Sequence, residues 1–504
     1  MLDLISLVSF FVLGSIGWIA YKIFIWPFYV SPLRKIPGPP SDNPFYGNVN
    51  TLVARKDDFI DPQLEWVEKY GKVLKYNGLF NKPTLFVADP KIIQEITLSK
   101  TYEFVKPYNK GAISLIGNGL VFAEGDDHKR QRKMMNPAFT HSNIKDMVPS
   151  FIRVTSTLKG LIEDEINRGK PSINLTPYVS KTTLDIIGLV GFNYEFKSLT
   201  SPNELAAAYD SILNNPSSTL RIAITLLSNH IPLVRKVPIK MNKKFQHACE
   251  VISRVSKKLV EIKYKEAENG ELKGKDLLSL LININRTLPI EEKMTDDELK
   301  YQIMTFLIAG HETTNVTTCW ALYLLSEHPH LQDTLREELV KAFPDKSNFN
   351  PTFDEINSLE FLNCVIKETL RIATPVPAVR RTNLKDEVFG EYFIPKDTEI
   401  VIGISALQKL PEIWGSTAGE FNPKRWLDPS LIKNITNLNY MPFLNGARGC
   451  IGNKVALAEA KILLGMLIRN FVFQPVEGFQ IKKRSFPMSK PDPHLELAVS
   501  IVES

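Results

Sequence analysis

The chain has 504 residues, 44% of them hydrophobic, which is ample apolar side chain for a large core. Its formal charge is +6, with Lys and Arg interspersed among Asp and Glu, so the basic stripe or tail of a nucleic-acid binder is missing. Four cysteines (Cys249, Cys319, Cys364 and Cys450) lie scattered without metal-type spacing, which argues against a disulfide framework or a zinc site and fits a reducing compartment.

From Leu4 to Tyr21 the chain reads LISLVSFFVLGSIGWIAY, uncharged throughout. As a helix rising about 1.5 Å per residue it spans roughly 27 Å, close to one hydrocarbon core. A cleaved signal peptide wants a basic start and a small-residue cleavage site. Here Asp3 opens the segment and no such site closes it. Lys22, Arg34 and Lys35 follow, marking the C-terminal side as cytoplasmic. The expectation is a retained membrane anchor over residues 1–30, with Trp26 and Tyr29 at the headgroups. Residues 31–42, containing IPGPP, then form a Pro-rich hinge, stiff because prolines fix φ and remove donors, that holds the body off the membrane. No repeat or second composition break follows, so residues 43–504 are expected to form one domain.

Apolar spacing near 3.6 dominates from about residue 60 to 375, while KVLKYNGLFNKPTLFVAD (Lys72 to Asp89) reads as a β-hairpin. The expected fold is mainly α with a small β subdomain. Thr295 with Glu298 three residues on spells a capping box, and an apolar helix runs from there toward Pro329. Its middle holds AGHETT (Ala309 to Thr314), where Gly310 costs about 1 kcal/mol relative to Ala. Taken alone, that cluster fits a surface face or a kink made by Gly and a neighbouring hydroxyl. It does not fit a zinc protease, because position 315 is Asn and not the second histidine.

In FLNCVIKETLRIATPVP, Glu368 and Arg371 lie three apart on one helical face. A solvated pair of that kind contributes only about 0.2 to 0.5 kcal/mol. The flanks are apolar, however, and Arg425 in FNPKRW is a further candidate partner. A buried Arg–Glu–Arg network has to be fully hydrogen-bonded to offset desolvation, and its role is then to fix architecture.

FLNGARGCIG (Phe443 to Gly452) sets Cys450 in a glycine-rich turn before an apolar helix. A lone cysteine is most often a small buried hydrophobe. A thiolate ligand instead needs backbone N–H donors and a nearby cation, and Gly446, Gly449, Gly452 and the helix N-terminus can supply the donors and positive potential. Arg448 could point the other way, toward an acidic cofactor edge. A phosphate cradle is the rival, but NLNYMP is a poor strand and the glycine spacing differs from GxGxxG, so the thiolate is favoured.

These residues resemble the cytochromes P-450, the haem-thiolate monooxygenases. Phe443, Gly446, Arg448, Cys450 and Gly452 match that family's haem-binding loop, Glu368 and Arg371 its ExxR pair, FNPKRW its aromatic-Pro-Arg meander, and AGHETT its oxygen-activating segment. GDDHKRQRKMMNPAF (Gly125 to Phe139) resembles its C-helix, and Arg381 sits where a propionate-binding arginine is often found. With the anchor and hinge, the resemblance covers essentially the whole chain and follows microsomal eukaryotic members of fungal type.

The resemblance implies haem b as cofactor, with Cys450 the axial iron ligand and Phe443 packed near it to limit water. It implies that Arg132, Arg381 and Arg448 pair with the propionates, that Thr313 hydrogen-bonds the oxygen co-substrate while Glu312 helps relay protons, and that Glu368, Arg371 and Arg425 are structural. One oxygen atom of O2 would enter an organic substrate and the other leave as water. Two positions depart from the family. His128 stands where many members carry Trp, which makes haem affinity an expected function of pH between 6 and 8. Position 309 is Ala, not the Glu that some fatty-acid hydroxylases esterify to haem, so covalent attachment by that route is excluded.

No flavin or nicotinamide fingerprint is present, so the resemblance implies NADPH electrons arriving through a separate membrane-bound reductase, with the catalytic domain on the cytoplasmic side of the endoplasmic reticulum. Lys129, Arg130, Lys133 and Lys454 are the candidate basic contacts for that partner, against the simpler reading of a solvated face. Ile113 to Ile116, Phe306, Ala378 and Val379 are candidate apolar contacts for a lipophilic substrate such as a fatty acid, sterol or other lipid. Two alternatives stay open: a peroxide-rearranging enzyme of the same fold, and a non-catalytic haem carrier or sensor.

Overall fold

The computed structural model describes residues 4–53, 61–213, 224, 227–228, 231–272, 274–345, 348–484 and 488–502. It is mainly helical with small sheets, as the sequence suggests. Helix α1 (Leu4–Ala20) has largely exposed apolar side chains and continues into a wider π-helical segment, Tyr21–Val30, that contains Pro27. Residues Ser6–Val30 form a helix long and apolar enough to cross a membrane.

The hinge is not a free spacer. Leu33 and Ile36 are buried in the core of the sheet subdomain, Lys75 N–H donates to the Pro37 carbonyl at 2.9 Å, and Asn48 Nδ2 donates to the Pro40 carbonyl at 2.6 Å. A β-carbon on Gly38 would fall 1.7 Å from the Lys75 carbonyl oxygen, so the chain lies against its neighbour where only glycine fits. Prolines remove donors but leave carbonyls, and here those carbonyls are used to bind the body rather than to stand off from it.

The expected hairpin forms. Strand β1 (Val73–Asn77) pairs antiparallel with β2 (Pro83–Val87) in the register Val73 to Val87. Strands β3 (Phe104–Val105), β4 (Ala378–Asn383) and β5 (Glu399–Gly403) complete a five-stranded sheet in the order β1-β2-β5-β4-β3, in which the β2–β5 pair is parallel. Arg380 and Arg381 are thereby carried on β4 beside a buried strand.

The helices that carry the site are α2 (Gly125–Met135), α3 (His141–Asn167), α4 (Leu175–Phe192), α5 (Asp296–Ser326), α6 (Glu360–Ile372) and α7 (Asn453–Asn470). Helix α5 opens on the expected capping box: Glu298 N–H donates to Thr295 Oγ1 at 3.2 Å and Thr295 N–H to Glu298 Oε2 at 2.8 Å. It runs unbroken through the core, ending ahead of Pro329. Apolar residues cover nearly all its faces because α4, α6 and α7 pack around it.

Candidate active site

Gly446 takes φ of +66°, and a β-carbon there would meet the Thr97 carbonyl oxygen at 2.4 Å. Glycine is therefore required for the loop to turn against its neighbour. Cys450 N–H donates to the Phe443 carbonyl at 2.8 Å, folding the loop back on itself just before α7 begins. The cysteine side chain is exposed, but into an internal cavity of about 550 Å³ rather than to bulk water. Surrounding protein pushes its thiol up, while the Gly452 N–H and the Arg132 charge pull it back toward thiolate.

A second wall of that cavity is one face of α5, presenting Phe306, Ala309, Gly310, Thr313, Thr314 and Thr317 at helical spacing. A β-carbon on Gly310 would lie 2.9 Å from Ile187 Cδ1 of α4. The glycine thus marks a close helix crossing inside a continuous helix, and neither a surface face nor a break. Thr313 Oγ1 donates to the Ala309 carbonyl at 2.7 Å, and Thr314 Oγ1 is buried without a partner.

Glu312 is not on that wall. It is 1% exposed, its carboxylate is paired with Lys490 and stands 3.4 Å from His311 Nε2, and Ser180 Oγ lies 3.1 Å from the same histidine nitrogen. Burial opposes its ionisation, but Lys490 and His311 outweigh that and hold the carboxyl below its ordinary range. Successive residues on a helix point about 100° apart, so the pairs Ala309–Gly310 and Thr313–Thr314 face the cavity while Glu312 between them faces Lys490.

The third wall is cationic. Lys106, His128, Arg132, Arg381 and Arg448 all line the cavity. Arg132 Nη1 donates to the Gly449 carbonyl at 2.6 Å and Arg381 Nη1 to the Arg380 carbonyl at 2.7 Å. Arg448 donates to the Ala123 carbonyl at 2.6 Å, pairs with Glu124 and lies 5.1 Å from the centre of the Tyr102 ring. Burial, then the charges of Arg448 and Arg381, push Lys106 down to about 7, and burial with Arg448 pushes Arg381 down to about 10. Among the described residues, Glu124 is the one carboxylate paired into this cluster.

His128 is 1% exposed, with Nδ1 3.1 Å from the Tyr102 hydroxyl. Burial, followed by Arg448, Lys106, Arg132 and Arg381, pushes it down to about 3. Without an anionic guest the neutral imidazole is thus favoured, because a further cation is the least favourable species among four others. Lys106, which the sequence reading did not single out, is the group poised near neutrality.

The residues present fit haem. A largely apolar cavity, a cysteine sulfur opening into it, and mutually repelling cations short of carboxylates ask for a guest that is apolar over most of its surface, anionic at one edge and able to take a sulfur ligand.

Behind the cavity, Glu368 accepts from Arg371 Nε and Nη2 at 2.9 and 2.8 Å, Arg425 Nε at 3.1 Å, Trp426 Nε1 at 3.0 Å and the Asn422 N–H at 2.9 Å. Arg371 also donates to the Gln408, Ala418 and Glu420 carbonyls, and Arg425 to those of Trp414 and Thr417. Gln408 in turn accepts from the Met441 N–H at 3.0 Å, which ties the network to the start of the cysteine loop.

Of the proposed substrate contacts, Phe306 and Val379 line the cavity, whereas Ile113 to Ile116 and Ala378 do not. Leu120, Val121, Phe122, Ile187 and Val376 take their place. Glu459 of α7 also lines it, 4% exposed, with Oε1 lacking a partner and burial raising its carboxyl well above the ordinary range. Among the basic residues expected to meet a redox partner, Lys129 pairs with Asp126 at 2.9 Å, Arg130 with Glu298, and Lys133 with Glu292 at 3.4 Å. Lys129 and Lys133 stay more than half exposed in these solvent-screened surface pairs.

A mainly helical body with a cysteine loop, an ExxR network and a cation-rimmed apolar cavity defines a haem-thiolate protein. A family model described as Cytochrome P450 matches residues 37–498. Cytochrome P450 monooxygenase 205 of Postia placenta is 36% identical, covering 95% of each chain. Cytochrome P450 monooxygenase sphH of Aspergillus fumigatus is 32% identical over 91% of this chain and 86% of that protein. Ganoderic acid synthetase CYP5150L8 of Ganoderma lucidum is 30% identical over 94% of this chain and 93% of that protein. The chain belongs to the cytochrome P450 family, as a haem-dependent, oxygen-incorporating monooxygenase of fungal type.

Proposed function

We propose that the protein is anchored in the endoplasmic reticulum membrane by its N-terminal helix, with the catalytic body cytoplasmic, and that it inserts one oxygen atom of O2 into a lipophilic substrate using NADPH electrons delivered by a separate reductase. The observation that carries this reading is that the Cys450 sulfur, the cationic wall and the Thr313 face of α5 open onto one largely apolar cavity. Bound there, thiolate-ligated haem supplies the activation of O2 and the transfer of an oxygen atom.

Cys450 ligates the iron, its charge eased by the Gly452 N–H and Arg132. Lys106, Arg132, Arg381 and Arg448 hold the propionate edge, with neutral His128 filling space beside Tyr102. Phe443 and the apolar lining exclude water. Thr313 Oγ1 keeps a proton at the wall where the co-substrate reacts. Glu312 is a carboxylate held behind that wall by Lys490, and it reaches the cavity only by leaving this partner. The lipophilic character assigned to the substrate rests on Phe306, Ile187, Val376 and Phe122.

The test is the ferrous–CO difference spectrum of the purified protein beside Cys450→Ala. A strongly red-shifted Soret band that vanishes in the variant supports the reading. Properly folded protein that binds no haem sinks it.

A further inference from the structure

Helix α1 does not simply end in a tether. Pro27 lies inside the π-helical segment Tyr21–Val30 and has no N–H to donate to it. In the same segment a donor from the catalytic body reaches the helix: Asn81 Nδ2 donates to the Ile23 oxygen at 3.2 Å.

Asn81 is itself held firmly. It is 1% exposed, donates to the Pro44 carbonyl at 2.8 Å and accepts from Ser41 Oγ at 2.7 Å. Phe80 and Asn81 both take left-handed backbone angles, φ of 56° and 55°. Asn tolerates that region, but Phe does so only when its surroundings enforce it. Phe80 N–H donates to the Phe45 carbonyl at 2.7 Å, and the Phe45 ring meets Phe24 edge-on at 5.8 Å.

We propose that Asn81 docks the cytoplasmic end of the membrane helix onto the catalytic body, so that the body rides on the bilayer in one fixed orientation with Phe24, Phe45 and Phe80 at the lipid headgroups. The proposal rests on α1 being a membrane anchor. The occupant of this apolar collar is the bilayer surface, because the collar is continuous with the span: it begins at Phe24, two residues after Lys22, whose ammonium sits 5.0 Å from the Trp18 ring and 4.8 Å from that of Trp26. Phe24, Phe45 and Phe80 are 41%, 52% and 37% exposed, too much aromatic surface in one place to leave in water. Lys22, Arg34 and Lys35 at the same end suit anionic headgroups.

The test uses full-length holoprotein in phosphatidylcholine vesicles whose acyl chains are brominated near the headgroup. Parent protein and variants are first floated on a density gradient. The tryptophan added by Phe45→Trp, read as the difference from the parent, is expected to lose about half its fluorescence to the brominated lipid. Asn81→Leu in that background is expected to float with an unchanged haem spectrum but to lose the quenching. Should that variant misfold, Asn81→Asp carries the test, since it keeps an acceptor for Ser41 Oγ and has no donor for the Ile23 carbonyl; unchanged quenching in Asn81→Asp overturns the proposal. Flotation with no quenching of the added tryptophan overturns the docking and leaves the anchor standing. A parent protein that does not float removes the anchor, and the docking with it.

Discussion

Arg371 grips both oxygens of Glu368, through Nε at 2.9 Å and Nη2 at 2.8 Å, with both side chains fully buried. A carboxylate in that position is tolerable only because its remaining acceptor sites are filled by Arg425, Trp426 and the Asn422 N–H. Glu368→Gln is expected to strand two guanidinium groups at a cost of about 3 to 5 kcal/mol. Arg371→Lys should fare little better, since an ammonium cannot make the fork. Thermal melting and haem content of the purified variants check this: a variant that melts and loads like the parent removes the architectural role.

Lys106 is expected to give haem loading a pH dependence. Its folded pKa of about 7 lies below the ordinary lysine value, so the empty fold loses stability as pH falls from the unfolded value toward 7 and levels off below it. A dianionic guest restores the proton, so binding takes up a proton above pH 7 and affinity should fall as pH rises from there. Haem titration of apoprotein from pH 6 to 9 is expected to show that slope in the parent and a flatter profile in Lys106→Gln. His128→Gln should keep the slope, because His128 is already neutral.

Two glycines in the site should respond differently to the same change. Gly446→Ala places a β-carbon 2.4 Å from a backbone oxygen at φ of +66°, where nothing flexible can give. A loss of about 1 to 3 kcal/mol is expected, together with the thiolate signature of the CO spectrum. Gly310→Ala meets the side chain of Ile187, Cδ1 at 2.9 Å and Cγ1 at 3.1 Å. A side chain can shift by a few tenths of an ångström where a backbone oxygen cannot, and the gain in helix propensity of about 1 kcal/mol offsets the crowding. Denaturant melts of the two variants should separate clearly.

Thr313→Ala removes a hydroxyl at the cavity wall without opening the core. Reconstituted with a reductase, the variant is expected to consume NADPH near the parental rate while product falls and hydrogen peroxide rises. Unaltered coupling would favour a haem carrier or a peroxide-rearranging enzyme.

What was legible in the sequence was whatever local spacing encodes. The Thr295–Glu298 capping box, the long helix behind it, the hairpin from Lys72 and the turn around Cys450 each depend on residues within a few positions of one another. The Glu368–Arg371 pair was visible for the same reason, and Arg425 only through its motif. Lys106, Glu124 and Glu459 were not, because their meaning comes from partners hundreds of positions away or from having none. Glu312 was placed on the right helix, but the direction of its side chain was not legible, since its partner is Lys490 on a strand far downstream. The proline-rich stretch looked like a spacer because composition does not reveal where carbonyls find donors.

The cationic wall has a consequence for the life of the chain. With Lys106, Arg132, Arg381 and Arg448 pressed together and a single glutamate among them, the empty fold carries repulsion that only a bound anion relieves. Stability then rises with free cofactor by mass action. Newly made chains that meet no cofactor are then the ones most exposed to unfolding and proteolysis, so the standing amount of this protein is expected to follow cofactor supply.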